Sequence, residues 1–474
     1  MTWRVKNLVF SSLTFLYFFL PIVLGLYFIS PIKIKNLIIF ISGIIFYAWG
    51  EPLYVVVMIL STFIDYTAGL LIDKYDNKPK LRVVFLLVSL VMNLGLLGVF
   101  KYGSFIITNI NAIFGLSIKD PQLPLPIGIS FFTFQSMSYT IDMYLRKIKV
   151  QKNIISFSSY VSLFPQIVAG PIVRYEDVAA EIDNRVINVD KVAEGIGTFV
   201  KGLAKKIILA NNIGAIWTTV KAMEYSEISA LTAWVGILAF TFQIYFDFSG
   251  YSDMAVGLGK MLGFNFPQNF NYPYISRSVS EFWRRWHMTL GAWFRSYVYI
   301  PLGGNRCGKF KTLRNLLIVW FLTGMWHGAS WNFILWGLYF GILIIIERIG
   351  FGKVLEKLPS FVSWLYTFII AVFGWVLFEI SNLSDLAQFF KAMFAGSGLF
   401  VDNTGMYLLT SNILIFALCI FGSTTITKRI YEKINSANVK IIQVAAPIVQ
   451  LVLMLLCTAY LVNATNNPFL YFNF

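Results

Sequence analysis

Apolar residues run through this chain in blocks that are long and continuous. Blocks near 8–29, 34–50, 53–73 and 82–100 approach or reach the ~20 residues a helix needs to cross hydrocarbon. Others follow at about 127–145, 229–246, 331–346, 360–379, 405–421 and 441–462. Continuous runs, in place of short alternating ones, set a β-barrel aside. The pattern predicts an all-α polytopic membrane protein with roughly eleven crossings. The first block follows Arg4 and Lys6 as a secretory signal would. It is longer than a signal's apolar region and has no small-residue cleavage site, so it reads as a retained first span.

Between the blocks lie stretches of another kind. Residues 103–117 are short and polar-interrupted, which places them at the interface or partway in. PQLPLPIG then stops any helix with three prolines. The stretch 153–177, NIISFSSYVSLFPQIVAGPIVRYED, is too polar and too broken by Pro165 and Pro171 for a lipid-facing span. Its unpaired backbone is tolerated only inside protein or beside a water-filled cavity. It reads as a broken or re-entrant helix lining a cavity, with a plain interfacial loop as the other reading. Segment 191–217 puts Lys201 and Lys205 on one helical face beside Lys206, suited either to anionic lipid or to a substrate. Asp247 and Asp253 fall at or near membrane depth, and 383–396 has the pattern of an amphipathic interfacial helix.

Composition agrees with a membrane protein: 57% of the 474 residues are hydrophobic, 17% aromatic and only 13% charged, with a mean hydropathy of +0.70. The net charge of +15 belongs to cytoplasmic loops, which collect Lys and Arg, and does not call for nucleic acid. If the spans alternate, Lys33, Lys35, Lys74, Lys78, Lys80, Arg82, Arg146, Lys147, Lys149 and Lys152 share one side, and Glu51 and Lys101 the other. The first side is then cytoplasmic and the N-terminus extracytoplasmic, with Arg4 and Lys6 as exceptions. Cys307, Cys419 and Cys457 have no metal-ligand spacing. With no internal repeat and no linker, residues 1–474 read as one integral domain with a catalytic core at about 124–347.

The chemistry concentrates between Ser280 and Gly337. Both histidines of the chain, His287 and His327, lie here, each directly after a tryptophan. As one helix, the segment around EFWRRWHMTLGAWFR would put Trp283, Arg284 and His287 on a shared face. From Arg277 to Arg314 there are eight basic residues and one acid, Glu281. This is either a phosphate-attracting mouth, since guanidinium grips phosphate in a fork, or an ordinary cytoplasmic loop. The mix of Trp, Arg and His favours the mouth. His327 ends an apolar run long enough for two crossings or one sharp bend, between Gly324 and Gly328. An ionisable group so deep is a functional candidate by default, and a neutral imidazole is suited to accept a proton near neutral pH. The alternative is a histidine bonded quietly between helices, and Ser330 and Asn332 are equally open to orienting a substrate or joining helices. The pattern offers no metal site, no phosphate loop and no nucleophile elbow. A base without its own nucleophile points to direct transfer between two substrates.

SFFTFQSMSYTIDMYLRK, FPQIVAGPIVRYED, FTFQIYFDFSGYSDMAVGLGKMLGFNFPQNFNYPYISRSVSEFWRRWHMTLGAWFRSYVYIPLGGNR and MWHGASWNFILWG, with the chain's first and last stretches, resemble the membrane-bound O-acyltransferase family in its bacterial alginate O-acetylation branch. The resemblance implies a ring of transmembrane, re-entrant and interfacial helices around a central tunnel, in the bacterial inner membrane. It implies His327, in the WHG motif, as the catalytic residue and His287 as the second family histidine. A cytoplasmic acyl thioester, expected to be acetyl-CoA, would bring its phosphates near Arg284, Arg285, Arg295 or Arg306, with Trp283 and Trp326 on the donor side. No metal or bound cofactor is implied. The acceptor would be an extracytoplasmic polysaccharide hydroxyl, or a hydroxyl on an SGNH-type esterase-like partner. The competing expectations are a transporter or flippase of an acyl donor, D-alanyl transfer to teichoic acid, and a scaffold that anchors the esterase.

Overall fold

The computed structural model describes residues 8–437, 439–463, 469 and 470. Arg4 and Lys6, which bear on orientation, lie outside the described residues, as does the tail past Asn463 apart from Phe469 and Leu470. Regular structure among the described residues is helical throughout. Among the described residues, seven helices are long and apolar enough to cross a bilayer. The pair Asn403–Ser411 and Ile413–Gly422, bent by 58°, makes eight if it counts as one span. The chain is thus a multi-pass membrane protein. Its outward faces suit lipid: Val444, Ile448, Leu451 and Leu455 of the helix Val439–Asn463 recur at helical spacing and are all exposed. The remaining expected crossings are shorter or more polar. Phe15–Ile29 is a short apolar helix. Ile129–Tyr144, with 16 residues, carries Gln135, Asp142 and several hydroxyls and is buried along nearly its whole length, so protein surrounds it.

By internal contacts the chain divides into two compact units, residues 1–199 with 251–268, and residues 200–250 with 269–474. In the first unit, Val55–Lys74, Pro79–Phe114 and Ile129–Tyr144 pack together. Asp65 is fully buried there and accepts hydrogen bonds from Ser89 Oγ at 2.5 Å and Asn93 Nδ2 at 2.8 Å. Residues 103–114 are continuous with the helix before them. A π-turn at Gly98–Tyr102 absorbs an extra residue without stopping the helix, so residues 103–114 continue it until Gly115 turns left-handed at φ 64°.

The stretch 153–177 is broken as expected. Ile154–Val161 is helical, Tyr175–Asn184 is helical, and the chain between them is irregular and buried. Its backbone is satisfied by side chains: Tyr160 Oη donates to Val173 O at 2.9 Å, and Gln166 Nε2 to Tyr160 O at 2.9 Å. Gln135 Nε2 donates to Gln166 O at 3.3 Å. Protein thus provides the partners that lipid could not.

In the second unit the three lysines of the 191–217 segment part company. Lys201 is exposed and Lys205 half-buried, while Lys206, in the π-turn Lys205–Ala210, is buried and ion-paired with buried Asp247. Leu383–Met393 is the expected amphipathic helix, with Leu386, Phe389, Ala392 and Met393 buried on one side.

Candidate active site

The apolar run through His327 is two helices. Lys309–His327 ends because Gly328 is extended, at φ −169°, and Trp331–Ile346 starts after an extended Ser330. The two helices pack unusually close. A Cβ added at Gly324 would stand 2.3 Å from Phe333 O, and one at Gly337 would stand 2.4 Å from Trp320 O. Glycine is therefore required at both positions for the backbones to approach, and His327 sits three residues beyond the first.

His327 is 6% exposed. Its ring is met edge to face by Trp326 at 5.1 Å, Trp336 at 4.9 Å and Phe378 at 5.2 Å between centroids. Edge-to-face contacts fix ring orientation as well as burying area. Beside the imidazole is a small space of about 10 Å³, lined also by Asp247, Phe248, Trp286, Trp375 and Leu470. That is about the room of one water molecule. Asp247 is its one charged lining residue among the described residues. It is held by Lys206 and accepts the Leu470 backbone N–H at 2.9 Å.

His287 stands across a shared wall. The Trp326 ring lies 5.8 Å from the His287 ring and 5.1 Å from the His327 ring between centroids. The single helix expected to align Trp283, Arg284 and His287 does not form. Val279–Arg285 ends at Arg285, Trp286 is extended, and His287 is left-handed at φ 44°, ψ 51° before the next helix, Met288–Phe294. The break is anchored by Asn269. Its carbonyl accepts Met288 N–H at 2.9 Å, and its side-chain Oδ1 lies 3.0 Å from His287 Nδ1. His287 is 2% exposed, outside the long apolar helices, and burial pushes its pKa down to about 3, so the ring is neutral.

The short helix Val279–Arg285 joins two environments. Trp283 packs edge-on against Trp320, Trp336 and Phe340 at 4.8–5.3 Å, and Trp336 in turn walls His327. Arg284 lines an open cleft of about 580 Å³ with Arg277 and Arg348, within the usual size of a ligand pocket. Glu347 anchors the helix start, accepting Val279 N–H at 2.6 Å, Ser280 N–H at 2.9 Å and Ser280 Oγ at 2.7 Å. A carboxylate there complements the helix N-terminus. Arg285 is engaged within the protein, paired with Glu281 at 2.9 Å and bonded to Asn271 O at 3.1 Å. Arg295 and Arg306 are exposed and line neither space. The structure thus brings His287, His327, Trp326 and Trp283 together and puts Arg284 in the adjoining cleft.

The sequence reading gave no role to Asn269, Trp336, Phe378, Glu347 or Arg348. Asn269 lay inside a quoted motif, FPQNFNYP, but its partner is 18 residues away and no periodicity connects them. Glu347 and Phe378 are separated by still more chain from Val279 and His327 respectively.

The family model for the membrane-bound O-acyltransferase family matches residues 146–384, which contain both histidines and the cleft. The "Probable alginate O-acetylase AlgI" of Pseudomonas aeruginosa is 41% identical over 392 residues, 82% of this chain and 75% of that protein. The peptidoglycan O-acetyltransferase of Helicobacter pylori is 34% identical over 431 residues, 83% of this chain and 81% of that one. The teichoic acid D-alanyltransferase of Streptococcus thermophilus is 32% identical over 235 residues, 47% of this chain and 56% of that one. By the family match and the length of these alignments, the chain belongs to the membrane-bound O-acyltransferase family and is an enzyme of acyl transfer.

Proposed function

We propose that this protein moves an acetyl group from a cytoplasmic thioester, acetyl-CoA, across the bacterial inner membrane. The group goes to a hydroxyl on an extracytoplasmic polysaccharide, or to one on an SGNH-type esterase-like partner that completes the transfer. His327 is the general base. The observation that carries this reading is the placement of His327: a buried imidazole, fixed by three rings, at the end of a helix and lining a small space. The relatives named for O-acetylation match over more than 80% of this chain, against 47% for the D-alanyl relative, which favours acetyl over D-alanyl. In this reading the phosphates of the donor arrive from the cytoplasm at the cleft where Arg277, Arg284 and Arg348 stand among Glu281, Glu347 and Glu356.

In the reaction, the acceptor O–H gives its proton to His327, and the oxygen attacks the thioester carbonyl. The tetrahedral intermediate expels the thiolate, which recovers the proton from the imidazolium. An O–C bond forms, the C–S bond breaks, and ester and thiol result. The imidazolium lies in the last turn of its helix, where carbonyl ends favour positive charge. General-base help contributes ~100- to 10,000-fold.

The test is a reconstitution in vesicles with acetyl-labelled acetyl-CoA on one side, and the polysaccharide or partner on the other. The expected result is coenzyme release on the donor side, label on the opposite side, and loss of both in His327→Ala with normal insertion and folding. Intact coenzyme crossing the bilayer would instead make the protein a carrier. Transfer from a D-alanyl thioester and not from acetyl-CoA would place it with the teichoic acid branch. Full activity in His327→Ala would end the base assignment.

A further inference from the structure

The hydrogen bonds around Asn269 determine where the proton of His287 resides. Asn269 Oδ1 faces the backbone N–H of Thr289 at 3.3 Å, the Thr289 hydroxyl at 2.9 Å and His287 Nδ1 at 3.0 Å. A backbone N–H only donates, so the amide atom facing it is oxygen and not the NH₂ nitrogen. An amide oxygen only accepts. The Nδ1 contact therefore requires a proton on Nδ1, and in a neutral ring Nε2 then carries a lone pair and no hydrogen. Nε2 is buried and has no hydrogen-bond partner among the described residues. A buried acceptor left open in this way is uncommon in native proteins and points to a donor supplied by a ligand. Phe248, at 4.8 Å, and Trp326, at 5.8 Å, hold the ring edge to face, while the bond from Met288 N–H to Asn269 O fixes the backbone next to it.

We propose that Asn269 is a positioning residue that locks His287 as the Nδ1–H tautomer. His287 Nε2 thereby accepts a hydrogen bond from an N–H or O–H group of a bound substrate and does not hold an oxyanion. The inference deepens the acyl-transfer reading and rests on it for the identity of the substrate. The matching chemistry is a hydrogen-bond donor, either an amide N–H on the pantetheine arm of the acyl donor or the hydroxyl of the acceptor. It also separates the histidines by role, since the oxyanion of the tetrahedral intermediate needs donors that His287 cannot provide in this tautomer.

Because the chain has two histidines, ¹⁵N-histidine labelling and NMR in lipid bilayers give two ring systems, assigned by comparison with His327→Gln. The expected wild-type signal for His287 is a protonated Nδ1 and an unprotonated Nε2. Asn269→Leu should populate the Nε2–H form and lower acetyl transfer ~10- to 100-fold. Asn269→Asp, which keeps an oxygen in place, should retain the Nδ1 proton and more of the activity. A raised KM for acetyl-CoA in Asn269→Leu assigns the bond to the donor's amide, and a raised KM for the acceptor assigns it to the hydroxyl. A protonated Nε2 in the wild type overturns the proposal. So does a tautomer shift in Asn269→Leu that leaves kcat and both KM values unchanged. If Asn269→Leu does not fold, the wild-type spectrum decides the tautomer and Asn269→Asp the kinetics. The spectrum needs no turnover, so failure of the acetyl-CoA reading would leave the tautomer result standing and is recognised separately.

Discussion

Replacing Gly337 with Ala should cut turnover far more than it cuts stability. Its new Cβ would stand 2.4 Å from Trp320 O and 3.1 Å from Gly324 Cα, where ordinary contact begins at 3.4 Å. The shortfall is 3.4 − 2.4 = 1.0 Å, and the atoms in the way are backbone, which cannot rotate aside. The helices Lys309–His327 and Trp331–Ile346 must move apart or tilt by about that much. Overpacking of this kind costs ~1–3 kcal/mol, offset by the ~1 kcal/mol that alanine gains over glycine in a helix. The net loss of stability is thus only ~0–2 kcal/mol. The displaced elements carry His327 and Trp336, and a shift of ~1 Å at a reacting group costs ~100-fold in rate. The assay is coenzyme release from acetyl-CoA in vesicles alongside thermal unfolding in detergent. Gly25→Ala is the control, because a Cβ there meets nothing within 4 Å, and it should keep full activity. Wild-type turnover in Gly337→Ala, or an equal loss in Gly25→Ala, would refute the argument that this close approach places His327.

Lys206→Met should cost ~3–5 kcal/mol, because it strands the buried Asp247 carboxylate. The double variant with Asp247→Asn should recover much of that, read from yield and Tm. Glu347→Gln weakens the charged cap on Val279–Arg285 by ~0.3–1 kcal/mol. It should raise the KM for acetyl-CoA more than it lowers kcat, since Arg284 rides on that helix. Asp402 caps the helix Asn403–Ser411. Burial alone would raise its pKa, but hydrogen bonds from Thr232, Gly405 and Ser229 outweigh burial and hold the carboxyl below its usual value. A depressed folded pKa gives stability that is complete above the unfolded value of ~3.9 and lost as pH falls through the folded one. Asp402→Ala should therefore cost ~1 kcal/mol at neutral pH, with the gap to wild type closing below about pH 4 in thermal melts.

Much of the fold was legible in the chain because lipid imposes one simple demand, ~20 apolar residues per helix. That demand located Val55–Lys74, Ala230–Met261, Ser360–Glu379 and Ile442–Asn463 within a few residues at the matching ends. It overran at Ala230–Met261, which continues 15 residues past the apolar block at 246, because Asp247 is paired inside the protein and does not end the helix. Both histidines and their flanking tryptophans stood out by their chemistry, and all four are buried. The aligned face of Trp283, Arg284 and His287 was not there, because a local 3.6-residue period cannot register a backbone pulled into the left-handed region by Asn269. Side chains that orient other side chains across 18 or more residues leave no periodic trace. For that reason Phe378, Glu347 and Asn269 came only with the structure, while Trp336 meets His327 across the break at Gly328, where the helical period is lost.

The left-handed backbone at His287 has a use in experiment. A residue with a Cβ is held at φ 44° against ~1–2 kcal/mol of steric resistance, which glycine does not feel. His287→Gly would therefore relax the main chain while it removes the ring. What remains is a socket of imidazole size, with Phe248 and Trp326 as walls and the Asn269 oxygen still offering an acceptor. Free imidazole placed there would meet the same partner that orients the native ring. Such a variant should fold, stay silent, and regain acetyl transfer in proportion to the imidazole added, giving a membrane enzyme that is switched on by a small molecule in the buffer.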